Sequence, residues 1–124
     1  MKTLAIDYGK VRSGIAVSDA SGTIARPAAV VEDAGSDAGL ERILELVRTE
    51  GAEEVVVGLP LTLKGEHGEQ ARETDAFVEA LRSRADVPVE TFDERFTTVL
   101  GGEDDSKAAA HLLASFLQAK GARS

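Results

Sequence analysis

The 124-residue chain has no cysteine, which excludes a disulfide framework and any thiolate metal centre. Long apolar runs are absent too. None reaches the ~18 residues that a membrane span needs, so no membrane role is expected. The start, "MKTLAIDYG", has neither an apolar signal core nor a small-residue cleavage site, and cytoplasmic residence is the default expectation. Repeats, low-complexity tracts and interdomain linkers are missing, and the length suits one domain over residues 1–124 that buries roughly two thirds of its unfolded surface. Positive charge is in short supply: 14 Lys and Arg against 22 Asp and Glu give a net charge of −8. Nonspecific attraction to a polyanion is thereby disfavoured, and such a partner would have to be met by metal ions or a local basic patch. Lys10, Arg12, Arg26, Lys64, Arg72 and Arg95 form that patch only if the fold gathers them.

What is present is a regular alternation of strand and helix patterns. "TLAIDY", "SGIAVSD" and "TIARPAAVV" are β-type runs joined by short Gly- or Ser-Gly-containing turns, which predicts an antiparallel meander. Residues 39–50 place Leu40, Ile43, Leu44 and Val47 at helical spacing, with Ser36 or Asp37 as cap and Gly51 as stop. "AEEVVVGLPLTL" reads as a fully buried strand, followed by a helix over about 69–85 with Ala71, Phe77, Val78 and Leu81 inward. "VPVETF" predicts a fifth strand and "SKAAAHLLASFLQAKG" a last helix. This order implies a mixed five-stranded α/β sheet, its first three strands antiparallel and its later ones parallel, with helices on both faces. It matches the ribonuclease H-like architecture.

Acidic residues are the candidates for chemistry. In "LAIDYG" Leu4 and Ile6 share one face while Ala5 and Asp7 share the other, which suits a central strand. A buried carboxylate there is costly unless paired, hydrogen-bonded or metal-bound, although a strand-end Asp accepting turn hydrogen bonds has the same pattern. Gly9 and Gly14 suit close backbone approach or a turn. Asp93 and Glu94, in "DER", follow the fifth strand at the edge where parallel sheets usually present ligands. Alternation puts Asp93 on the face of Val89 and Glu94 on that of Phe92, and does not choose between them. Arg95 is either a phosphate contact or their salt-bridge partner. On the last helix, one turn back from Ala109 in the apolar face of Ala109, Leu112 and Phe116, lies Asp105, whereas Asp104 falls on the polar side as an ordinary cap. Asp7, Asp105 and a "DER" acid, if they converge, make a hard oxygen-rich site for Mg²⁺ or Mn²⁺. Two such ions about 4 Å apart suit phosphodiester hydrolysis. His67, in a Gly-flanked loop, and His111, on a helix flank, read as solvated residues, and no nucleophile-elbow signature is present. "GLPL", at 58–61, is either a turn offering N–H groups to a phosphate or a strand terminus with Leu59 in the core.

Together "DYGKVRSGIAVSD", "GLPL", "DERFTT" and the final Asp-x-x-Ala-Ala helix resemble the YqgF/RuvX family of Holliday junction resolvases, also described as pre-16S rRNA nucleases. The resemblance covers nearly the whole chain. It implies a ribonuclease H-like fold and metal-dependent endonucleolytic cleavage of structured nucleic acid, either pre-16S rRNA or a four-way DNA junction. It also assigns catalytic acids to Asp7, Asp93, Glu94 and Asp105, with Asp7, Glu94 and Asp105 as metal ligands, and substrate contacts to Gly9, Lys10, Arg12 and Arg95. One departure is that family members usually carry a helix and a basic loop between "TTV" and the last helix, where this chain has only "LGGEDD". That shortening removes an obvious phosphate-binding surface and bears on whether the last helix is exchanged in a homodimer. Two other readings stay open: a noncatalytic module of the same fold that binds nucleic acid or a ribosome-assembly partner, and an actin- or sugar-kinase-like nucleotide-binding domain.

Overall fold

The alternation around Asp7 forms strand β1 (Thr3–Asp7), with Leu4 and Ile6 buried on one face and Ala5 on the other. The structure is a computed structural model that describes residues 1–96 and 105–122, without the side chains at 96, 105 and 122. Strands β2 (Arg12–Ser18) and β3 (Ala25–Glu32) continue from β1 as the expected antiparallel meander. Their register slips after Ile15, so that Ile15 faces Ala29 and Ala16 faces Pro27. Proline has no N–H to give a ladder, and it is accommodated here because β3 is the edge of the sheet.

Helix α1 (Asp37–Glu50) begins where the Ser36 hydroxyl accepts the N–H of Gly39 at 3.0 Å, and ends at Gly51. Strand β4 (Glu54–Leu59) follows, buried along its whole length. It stops at Leu59 rather than running through "PLTL", because Pro60 cannot donate to a ladder and residues 62–66 close a turn. Helix α2 (Glu69–Arg82) leads to strand β5 (Val89–Asp93) and a single 3₁₀ turn (Glu94–Phe96). Helix α3 (Asp105–Ala122) is last. Strand order is β3-β2-β1-β4-β5, with β1, β4 and β5 mutually parallel, so β1 is central.

Helices cover both faces. Leu4, Ile6, Ile15, Val17, Val55 and Val57 meet α1 and α2 through Leu40, Ile43, Phe77, Val78 and Leu81. On the opposite face Ala5, Ala16, Val56 and Phe92 meet α3 through Ala109, Leu112, Leu113 and Phe116. Each fully buried leucine in that seam contributes about 1.5–3 kcal/mol. The far end of α3 is tied down polarly. Lys120 Nζ donates to Glu54 Oε1 at 2.6 Å, and the same oxygen accepts the Thr3 hydroxyl at 2.8 Å. The Glu54 side chain is only 8% exposed, so the pair compensates a charge that burial alone would make costly.

Candidate active site

Strand pairing sets the site at the carboxyl ends of the parallel strands. Ile6 is in register with Val57, so Asp7 comes level with Gly58, and Gly58 in turn is in register with Phe92. Asp7, Gly58, Phe92 and Glu94 therefore fall on one side of the sheet, the side covered by α3. Adjacent strands are ~4.8 Å apart, so β1 and β5 stand roughly 10 Å from each other with β4 between them. Two carboxylates can meet across that gap only if the middle strand carries no side chain there. Gly58 meets that requirement: a Cβ built on it would lie 2.9 Å from Glu94 Cγ and 3.0 Å from Cδ, and nearer still to Oε1. The Glu94 side chain therefore lies across the bare backbone of β4.

The electrostatics agree with that placement. Burial, then the charge of Asp7, a hydrogen bond with Asp7 and the charge of Asp93 push Glu94 up from 4.5 to about 7. Near neutral pH Asp7 and Glu94 thus tend to hold a proton between them, as two carboxylates crowded together do. A hard divalent cation suits the same place, because it neutralises both groups and takes oxygen ligands. Among the described residues no cluster of three or more His, Asp or Glu side chains forms a complete metal site. Asp105 opens α3 over this face of the sheet, but its side chain lies outside the described part of the structure.

Asp93 behaves differently. Its carboxylate accepts the backbone N–H of Arg95 at 2.9 Å and the guanidinium Nε at 2.9 Å, and those contacts hold it below the usual carboxylate range. Arg95 also reaches the Leu63 carbonyl, at 3.5 Å, and its guanidinium packs on Gly65. It therefore ties the end of β5 to the loop after β4. The missing Cβ of Gly9 is explained within the hairpin: a side chain there would collide with the Arg12 carbonyl, while the Gly9 N–H donates to the Ser13 hydroxyl at 3.0 Å. Arg12 is exposed at the start of β2, and Lys10 makes a loose 3.8 Å ion pair with Glu73. Arg26 lies at the opposite end of the sheet, paired with Glu50 at 2.9 Å, so the six basic residues are not gathered into one patch. His67 pairs with Asp75 at 3.6 Å. Gly58 is the residue that sequence reasoning undervalued. Its only signal is a glycine closing the β-branched run "VVV", where a close approach is one of few reasons to give up a side chain.

A family model described as "RuvX: Holliday junction resolvase" matches residues 1–119. A protein of Chloroflexus aurantiacus named "Putative pre-16S rRNA nuclease" is 44% identical over 96 residues, covering 77% of this chain and 63% of the relative. One of the same name from Rhodococcus opacus is 41% identical over 127 residues, covering 98% of this chain and 67% of the relative. The matched part thus spans somewhat less than two thirds of the Chloroflexus protein. Among solved structures, T. thermophilus RuvC in complex with a Holliday junction substrate superposes with a TM-score of 0.65 at 20% identity, over 99% of this chain and 95% of that one. The fold is therefore that of RuvC, ribonuclease H-like.

Proposed function

The chain belongs to the RuvX family, and from that premise we propose that it is a metal-dependent endonuclease that hydrolyses phosphodiester bonds in structured nucleic acid. The observation that carries this reading is the Asp7–Glu94 pair, brought together over Gly58 at the ligand-binding edge of the sheet. Pre-16S rRNA, named for the relatives, and a four-way DNA junction, named for the family, are the two substrates to set against each other.

In this reading Asp7 and Glu94 hold Mg²⁺ or Mn²⁺, with Asp105 as the third ligand from α3. The bound ions supply an activated water and neutralise charge on the leaving oxygen. The chain's own residues fix the geometry. Gly58 lets the Glu94 carboxylate lie beside Asp7, and Arg95, by gripping Asp93, holds the turn that aims Glu94 inward. Glu94, raised by burial and by Asp7, keeps its proton more readily than an ordinary glutamate, and would have to give it up to serve as a metal ligand. Arg12 and Lys10, exposed on the β1–β2 hairpin, are placed to meet backbone phosphates that an acidic chain would otherwise repel.

The test is cleavage of a synthetic four-way junction and of a precursor 16S rRNA fragment with Mn²⁺, Mg²⁺ or EDTA. Asp7→Asn should abolish metal-dependent cutting while leaving the melting transition in place, and full activity in that variant would sink the assignment. Resolution of a junction needs two symmetrically placed sites, so preference for the junction should go with a homodimeric mass in solution. Trimming of rRNA has no such requirement.

A further inference from the structure

We propose that the groove between the end of β1 and helix α2 is a nucleobase subsite, which takes one unpaired base of the strand whose backbone passes over Asp7. The proposal rests on the nuclease reading for its source of substrate. It stands on a separate feature, on the opposite face of the sheet from the carboxylates. Tyr8 directly follows Asp7, and strand alternation sends its ring to the other side, where it stacks on Phe77 of α2 with ring centroids 4.4 Å apart at 21°. Beside this pair is a cavity of about 340 Å³, floored by Phe77, Ala76 and Ala80 and bordered by Lys10 and Glu73. Flat aromatic and small apolar surface inside, with a few polar groups at the rim, is the usual build of a small-ligand pocket, and the volume is near the lower end of the ~300–1,000 Å³ range. That is room for a single planar ring system rather than a length of chain.

The rim chemistry points to a base with a phosphate attached. Glu73 offers a carboxylate that accepts from ring or exocyclic N–H groups, as bases with amino donors present. Lys10 has a side chain 83% exposed and a partner 3.8 Å away. Such an exposed pair is worth little, so Lys10 is free to turn to a phosphate when one arrives. Recognition of single-stranded nucleic acid commonly works this way, by stacking on aromatic rings with a cation on the backbone. The site would also register the strand: a base held by Tyr8 fixes the phosphate next to it relative to Asp7, one residue away.

One stacked base is a weak ligand, so a lone nucleotide should bind no tighter than about the millimolar range. Tyr8 is the only tyrosine in the chain, so its ring-proton NMR signals report on this groove without ambiguity. The full chain in EDTA is titrated with guanosine 5′-monophosphate and, separately, with ribose 5-phosphate. The nucleotide should shift the Tyr8 ring signals saturably and the base-free sugar phosphate should not. Ala76→Leu, at an exposed position on α2, should fill the groove and weaken the nucleotide response by roughly tenfold, with the melting temperature unchanged. An equal response to ribose 5-phosphate, no response to the nucleotide, or an undiminished response in Ala76→Leu overturns the proposal. A Tyr8 shift in a protein that cuts no substrate supports the subsite and removes the nuclease reading. Cutting without a Tyr8 shift does the reverse.

Discussion

Replacing Gly58 with alanine separates a defect in the site from a defect in the fold. The added Cβ would sit within 3.0 Å of Glu94 Cγ and Cδ, closer than carbon atoms normally approach. Overpacking a filled interior costs about 1–3 kcal/mol, and the low end applies here because the obstructing group is the end of a flexible side chain. Against this, alanine lowers the entropy of the unfolded chain and returns about 0.4–1 kcal/mol. Net destabilisation should therefore be about 0–2 kcal/mol by urea denaturation. The carboxylate has to swing off β4 to make room, and that takes it away from Asp7. Misplacing a catalytic group by about 1 Å can lower a rate by 10²-fold, so metal-dependent cleavage should fall by roughly that factor or more. Glu94 also loses part of the burial and the Asp7 contact that hold it near 7, so its carboxyl ¹³C titration should move down toward 4.5. A Gly58→Ala protein that cuts at the wild-type rate, with Glu94 still titrating near 7, would refute the bridging role of this glycine.

Further outcomes follow from the same contacts. Because the folded-state pKa of Glu94 is raised, the folded protein binds the extra proton between about 4.5 and 7; the stability this confers is present below that window and is lost as pH rises through it. Calorimetry in EDTA should therefore show the Glu94→Gln variant losing the decline that wild type shows from pH 5 to 7.5, and parallel declines in the two would exclude Glu94 as its source. Lys120→Met should cost about 1–3 kcal/mol by leaving the buried Glu54 carboxylate with the Thr3 hydroxyl but no charge partner, and adding Glu54→Gln should recover most of that loss; a double variant as unstable as Lys120→Met would place the cost elsewhere. Arg95→Ala unties the loop after β4 from the end of β5, so trypsin should cut after the exposed Lys64 faster than in wild type, whereas equal rates would mean that Arg95 does not hold the loop.

Much of this arrangement is legible in the sequence where it depends on local pattern. The central position of Asp7 follows from Leu4 and Ile6 alternating with Ala5, and the limits of α1 follow from Ser36 and Gly51. The inward faces of α2 and α3 can be read from the spacing of Phe77, Val78 and Leu81 and of Ala109, Leu112 and Phe116. What escapes is whatever depends on register between strands distant in the chain. "VVVG" and "VPVETFDE" do not say that Gly58 lies opposite Phe92 and beneath Glu94, and only that pairing turns a strand-end glycine into part of the site. The same holds for "DER": alternation leaves both acids open, whereas in the folded chain Arg95 occupies Asp93 and the 3₁₀ turn brings Glu94 to Asp7. For Gly9, a glycine that makes room for a ligand and one that makes room for the Arg12 carbonyl have the same letter in the sequence.

Among the described residues, α3 alone packs on the sheet face that bears Ala5, Ala16, Val56 and Phe92, and it follows all five strands in chain order. A polypeptide leaves the ribosome N-terminus first, so the sheet can pair while that face is still open to water. The nascent chain then holds Asp7 and Glu94 without the helix that begins at Asp105. In the proposed reading, that chain still lacks the third acid of the site.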